Sequence, residues 1–383
     1  MRGVFLKPKI VIVGSGLFGL TIAEQIASKL NLEVLIIEKR NHIGGNAWSE
    51  IHQESGIEVH KYGSHLFHTS QEEVWKYVNQ FTEFNAYQHH VWTKHRNEVF
   101  SLPINLSTIS QFYGKLLSPQ EATDLISNEI QSESSGKNSN FESLAIGTIG
   151  KPLYEAFIKG YTQKQWQVEP SELPEEIFTR LPVRYNFNNR YFSDKYEGLP
   201  LNGYNHFLPK IVDSGLIKVE TETDYFANKN RFVDADLTIY TGPIDKYFDY
   251  KHGLLGWRTL DFETEYLEVD DFQGTSVMNY ADVEVPFTRI HEFQHLHPER
   301  SKKQRGTVVM REFSRKSEIG DEPYYPINSK EDRASLLKYR EEAQRIPNVI
   351  FGGRLGTYKY LDMHMAIASA LQIFETQIKH RYA

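Results

Sequence analysis

Hydrophobic positions along this chain of 383 residues switch repeatedly between strand-like runs and helical spacing. Residues 9–13 (KIVIV) are almost continuously apolar, the pattern of a strand buried on both faces. Leu20, Ala23, Ile26, Ala27 and Leu30 then recur close to helical spacing, and residues 32–37 predict the next strand. From about residue 70 to 131 the pattern is mixed and predicts mostly helix. Ser118-Pro119-Gln120-Glu121 marks one helix start, because proline fits a first helical turn. Residues 131–140 (QSESSGKNSN) are polar and serine-rich and predict a loop. Leu153, Phe157 and Tyr161 predict a further helix. Beyond Arg190 the chain turns to short β-like runs at 216–221, 237–241, 262–269, 274–278 and 307–310. Residues 348–351 predict a closing strand. A glycine-rich turn and a long helix after Asp362 follow, with Ile367, Leu371, Phe374 and Ile378 as its apolar stripe. No internal repeat is visible.

The first strand and helix are joined by Gly14-Ser15-Gly16-Leu17-Phe18-Gly19, and the second strand ends in Glu38. Strand, GxGxxG turn, helix, strand and acid together form a dinucleotide-binding fingerprint. Gly14 permits the tight turn, Gly16 lets backbone approach a pyrophosphate, and Gly19 lets helix and strand pack closely. The helix N-terminus offers free N–H groups to the phosphates, and Glu38 is placed to accept from a ribose hydroxyl. NAD and FAD share this fingerprint. Gly44-Gly45-Asn46 soon after the acid resembles the FAD-binding fold of the glutathione-reductase type. The strand end 236–243 (DLTIYTGP) and residues 349–354 (VIFGGR) resemble later parts of that fold.

Composition narrows the classes. Lys+Arg 43 against Asp+Glu 50 gives a net charge of −7, which argues against broad nucleic-acid binding. The chain has no cysteine, which removes disulfides, Cys-ligated metals and thiol nucleophiles. His65 and His68, three apart and with no clear third ligand, do not predict a metal site. The first apolar run is too short for a secretory leader, and no run is long enough to cross a membrane. A cytoplasmic soluble protein is the expectation.

The middle of the chain carries more specific signals: residues 62–69 (YGSHLFHT), 100–106 (FSLPINL), 161–166 (YTQKQW), 322–327 (EPYYPI) and 353–363 (GRLGTYKYLDM). Together they resemble the UDP-galactopyranose mutase family of the bacterial type, from about residue 10 to 365. The fold class this implies is α/β, with a discontinuous Rossmann-like FAD-binding domain, a helical domain and an antiparallel β-sheet domain. The implied FAD unit takes residues 1–85, 236–248 and 312–383. A helical domain spans 86–190, with a mobile lid at about 166–185. Residues 191–235 form a crossover and 249–311 the sheet domain.

The resemblance implies an isomerase that interconverts UDP-galactopyranose and UDP-galactofuranose. It would use reduced FAD (FADH−) without net redox, through a covalent flavin N5–sugar adduct and an iminium. Arg180 and Arg289 correspond to the family's diphosphate arginines, a task for which guanidinium forks are suited. Phe157, Tyr161 and Trp166 are implied around the uridine, and Tyr191, Tyr325 and Tyr360 on phosphate or sugar. Cofactor contacts are implied for Gly14, Gly16, Phe18, Gly19, Glu38, Lys39, Gly45, Asn46, His65, Leu66, Arg354, Asp362 and Met363. His65 would place its backbone near N5, with a steric and hydrogen-bonding role. Asp362 would be an N-cap, its helix dipole favouring negative charge on the flavin. UDP-galactose is the implied partner and a homodimer the implied assembly. Three alternatives stay open: an FAD-dependent oxidase of the amine or porphyrinogen type, a non-catalytic dinucleotide-binding or sensor protein, and a mutase for another nucleotide sugar.

Overall fold

The computed structural model describes residues 9–132, 140–175, 183–300 and 306–382. Arg180, most of the serine-rich loop and the centre of the expected lid lie outside the described residues.

A five-stranded parallel sheet runs in the order Val349–Phe351, Leu237–Tyr240, Ile10–Val13, Val34–Ile37 and Ile217–Glu220. Its inner strands are buried almost throughout, which is why they read as apolar runs rather than alternating ones. Its strands come from remote parts of the chain. The Ile217–Glu220 edge lies in the stretch assigned to a crossover.

Helix Leu17–Gln25 buries Leu17, Phe18, Leu20, Ile22 and Ala23 between this sheet and the C-terminal helix Met363–Ile373. Its close approach to the first turn needs Gly19: a Cβ there would sit 2.2 Å from the Gly14 carbonyl oxygen. All the strand ends that matter for ligand binding, at Gly14, Glu38 and Thr241, therefore meet at one edge of the sheet.

The second sheet has seven strands, ordered Tyr325–Pro326, Trp257–Leu267, Thr307–Lys316, Arg289–Glu292, Val277–Tyr280, Val91–His95 and Glu98–Leu102. Every pairing is antiparallel except that of Val277–Tyr280 with Val91–His95. Two expectations change here. The region from 70 to 131 is not mostly helical at its centre, because VWTKH and EVFSL pair as a hairpin about Arg96, whose φ is 55°. The β-branched and aromatic residues of those segments carried that signal. The boundary set at 311 falls inside Thr307–Lys316, so the sheet extends past both expected limits.

A helical layer covers the hairpin end of this sheet. Helix Leu106–Phe112 starts at Asn105, whose side chain accepts from Ser107 and Thr108 N–H in a capping box. Helix Pro119–Ser132 starts at Ser118 as expected, with Ser118 and Glu121 bonded reciprocally. Helix Phe141–Ile149 comes next among the described residues. A π-helical turn, Tyr154–Lys159, then leads into helix Gly160–Trp166.

Candidate active site

A cavity of about 920 Å³ opens where the parallel sheet, the helix Leu17–Gln25 and the N-terminus of Met363–Ile373 meet. Its lining includes Gly14, Gly16, Phe18, Gly19, Glu38 and Lys39 of the first strand–helix–strand unit, Gly45 and Asn46, and, from later in the chain, His65, Arg354, Asp362 and Met363. Leu66 is not part of this wall; its side chain packs on the main core. That departs from the expected cofactor contact.

The nucleotide end fits an anionic dinucleotide. A Cβ on Gly16 would meet no protein atom, so the space beside it is open to a ligand. Gly16 is the N-cap of a helix whose first N–H groups have no intrahelical partner. Glu38 is buried, and its carboxylate accepts from Ser15 N–H at 2.9 Å, Ser15 Oγ at 2.8 Å and Arg40 N–H at 2.9 Å. A carboxylate has about four acceptor sites, so these bonds fix its position and leave capacity for a ribose hydroxyl.

Lys39 and Arg40 both reach Glu322 at 2.7 Å. Arg40 also donates to Asn46 Oδ1 at 2.9 Å and lies 4.4 Å over the Tyr62 ring, while its Nη1 is buried without a hydrogen-bond partner. That unsatisfied donor beside the cavity suits a diphosphate. The sequence reading missed Arg40; the only signal was its position two residues after the acid.

At the far end, the His65 main chain is pinned from both sides. Its N–H donates to His60 Nδ1 at 3.0 Å, and its carbonyl accepts from Tyr204 at 3.1 Å. Burial lowers the His65 ring to about 4, against the opposing bond to the Gly63 carbonyl, so it is neutral near pH 7. Asp362 occupies the N-cap position of Met363–Ile373, but its side chain makes no cap bond. It accepts instead from the Tyr360 hydroxyl at 2.8 Å. The expected cap is thus replaced by a link to a site tyrosine. Tertiary structure also brings ligand-capable atoms of His68, Asp362 and His364 within 4.8 Å of one another, a grouping that does not include His65. His68 Nδ1 is already bonded to Asp194 at 2.7 Å.

Arg354 donates to the carbonyls of Tyr324 and Leu361, and its guanidinium lies 5.0 Å from the Tyr360 ring centroid. Tyr360 and Tyr325 stack at 5.9 Å. Beyond them is Arg289, bonded to the Tyr161 hydroxyl and 3.3 Å from Glu312. Tyr191 and Tyr325 are close enough to act electrostatically on both Arg289 and Tyr161. Burial works against the charge of Arg289, but Glu312, joined by Tyr161, Tyr325 and Tyr191, outweighs it and raises its pKa. Some 28 % of the Arg289 side chain remains exposed, leaving a face for an anion. Burial pushes the Glu312 carboxyl up, yet Arg289 and the bond to His291 overcome this and hold it at about 2. Glu312 escaped the sequence reading, since nothing in MREF distinguishes it from a surface acid.

Two expected members stand apart from this cluster. Phe157 is buried to 3 % exposure, its ring packed on Phe100 at 4.9 Å, Phe112 at 5.5 Å and His95 at 5.8 Å. It is a core residue of the helical layer, so the expected uridine wall loses this side chain. Trp166 ends its helix half-buried against the same core.

Comparison with known proteins gives the family. Residues 156–360 match the profile described as UDP-galactopyranose mutase, and residues 12–81 that of an NAD(P)-binding Rossmann-like domain. The chain belongs to the UDP-galactopyranose mutase family. One family member, a probable UDP-galactopyranose mutase of Klebsiella pneumoniae, is 45% identical over 95% of this chain and 93% of its own. A dTDP-fucopyranose mutase of Escherichia coli is 39% identical, over 97% and 99%. A crystal structure of reduced UDP-galactopyranose mutase superposes with TM-score 0.72 at 16% identity, covering 98% of this chain and 95% of that one. A putative protoporphyrinogen oxidase from Exiguobacterium reaches 0.60 at 13%, over 97% and 98%. These two structures share the fold. Among the described residues no helix is long and apolar enough to cross a membrane.

Proposed function

We propose that this protein is a flavin-dependent mutase that interconverts UDP-galactopyranose and UDP-galactofuranose, with FAD working in its reduced form and no net redox. The observation that carries this reading is the contiguous row from the dinucleotide cavity to an anion-ready arginine: Arg354, Tyr360, Tyr325, Arg289 and Tyr161. An oxidase needs the cavity but has no use for a diphosphate anchor at its far end.

Gly14, Gly16, Glu38, Gly45, His65 and Arg354 line the cavity that would hold the flavin, and the reduced cofactor would supply the nucleophile for exchange at the anomeric carbon. The chain's own residues do the rest. Arg289 holds the diphosphate while it is bonded to sugar and after it departs, so that it can return. Glu312 keeps the guanidinium oriented and charged. The hydroxyls of Tyr161, Tyr191 and Tyr325 face the phosphate and sugar, and Tyr360, whose hydrogen goes to Asp362, offers its oxygen as an acceptor; burial raises the pKa of Tyr325 and Tyr360, so both stay protonated. The pinned His65 peptide fixes the wall over the cofactor, and Arg180 is a second diphosphate contact carried by the family resemblance.

Purified protein reduced with dithionite and given UDP-galactofuranose should yield UDP-galactopyranose by chromatography. No conversion by folded, flavin-loaded protein would sink the reading. Arg289→Ala should lose turnover while keeping its flavin spectrum. The 39% identity to a dTDP-fucopyranose mutase supports a second reading, in which the sugar is a deoxyhexose on dTDP. Parallel assays with dTDP-fucopyranose separate the two.

A further inference from the structure

A line of buried polar groups leads from Arg289 back toward the cofactor cavity by a route separate from the tyrosines. Arg289 and Glu312 are direct cross-strand partners. The second carboxylate oxygen of Glu312 lies 3.1 Å from His291 Nε2, and His291 Nδ1 lies 2.8 Å from Ser64 Oγ. Ser64 precedes His65, whose main chain is already fixed by His60 and Tyr204. Glu312 and His291 are 3% and 1% exposed.

The chemistry of these groups sets their hydrogen positions. An ionised carboxylate only accepts, so His291 carries its proton on Nε2. In the neutral ring Nδ1 is then an acceptor, and Ser64 donates its hydroxyl hydrogen to it. A protonated His291 would donate from both nitrogens, and Ser64 would have to turn its hydrogen elsewhere.

Four influences act on His291. Burial lowers its proton affinity, the hydrogen bond and charge of Glu312 raise it, and the charge of Arg289 lowers it. The remaining titratable neighbours, His60, His65 and His89, are themselves kept neutral by burial. A diphosphate seated on Arg289 offsets the charge of that guanidinium. His291 can then take a proton from solvent, and the Ser64 hydroxyl reverses.

Resting on the functional reading above, we propose that Glu312, His291 and Ser64 form a positioning relay that couples occupancy of the Arg289 anion site to the loop covering the cofactor. His291 and Ser64 are positioning residues: neither is placed on substrate. The loop lies beside the flavin, whose charge changes on reduction, so we take the loop's interaction with oxidised and reduced flavin to differ; by linkage the anion then binds the two forms unequally and shifts the flavin potential correspondingly.

The test uses FAD-loaded protein titrated with UDP in the oxidised and dithionite-reduced states, followed by flavin absorbance and midpoint potential. In the unmodified protein the two UDP affinities should differ by about fivefold or more. His291→Gln, which keeps a donor for Glu312 but cannot protonate, should bind UDP to the oxidised protein about as well while the ratio falls toward one. Ser64→Ala should do the same without touching the buried ion pair, and Ser64→Thr should restore the difference. An undiminished ratio in both His291→Gln and Ser64→Ala, or equal affinities in the unmodified protein, would overturn the relay. Failure of the unmodified protein to bind UDP at all would instead overturn the functional reading.

Discussion

Phe157 shows how one residue type at one spacing can serve either a pocket or a core. Its distance of four from Tyr161 puts both near one helical face, yet the π-helical turn Tyr154–Lys159 shifts the register just before Tyr161. Phe157 then points into the aromatic group of Phe100 and Phe112, while Tyr161 reaches Arg289. Phe157→Ala should therefore cost about 3–5 kcal/mol of stability, as cavity-forming aromatic truncations do, measured by denaturant midpoint. UDP affinity of the folded fraction should hold. A stable variant with weak UDP binding would return Phe157 to the ligand. Glu312 is the opposite case: a residue that looks like a surface acid becomes, through its strand partner, the buried counter-charge of the site.

At the scale of elements, helix Gly160–Trp166 is what delivers Tyr161, and it is clamped to the second sheet at both ends. A Cβ on Gly160 would approach the Ala281 carbonyl oxygen to 2.4 Å, so only glycine allows this contact. Lys164 then donates to the carbonyls of Tyr280, Asp282 and Phe287 at 2.7, 2.8 and 3.0 Å. Burial lowers this lysine to about 8, against the pull of Asp282. Gly160→Ala should push the helix off the sheet and move Tyr161 away from Arg289. The expected outcome is a loss of UDP affinity with flavin content intact, read by titration against flavin absorbance. Unchanged affinity would mean that the helix can shift without moving its tyrosine.

For the whole molecule, the concentration of buried neutral histidines around the cofactor wall has a pH consequence. Burial holds His65 at about 4 and His60 at about 3, both below the ordinary 6.5. Between those values the unfolded chain binds protons that the fold refuses, so stability is full above pH 6.5 and declines as pH falls toward 4. Glu312, held at about 2 against an ordinary 4.5, adds a second decline below pH 4.5. Denaturant midpoints measured from pH 8 to 4 should fall from about pH 6.5 downward, and His60→Gln should flatten the upper part of that slope. A flat profile down to pH 4.5 in the unmodified protein would contradict the buried neutral state.

The nucleotide end was legible in the chain because its parts are local. Gly14, Gly16, Gly19 and Glu38 act through one strand–turn–helix–strand unit, and period and spacing suffice to read it. The inner parallel strands were legible too, since burial on both faces leaves an unbroken apolar run. The hairpin at 91–102 is local, and its β-branched and aromatic residues carried a signal that the helical reading of that region passed over. The true limits of the second sheet were not legible, because they depend on which distant strands pair. The same holds for the chemistry at the far end. Arg289 could be named from its motif, but its partnership with Glu312 is a fact of antiparallel register, and the path through His291 to Ser64 joins residues 227 apart in sequence. Sequence fixes which groups are available and how each segment folds locally. Only the packed structure decides which buried charges face one another, because desolvation forces each to find a partner wherever the fold brings one.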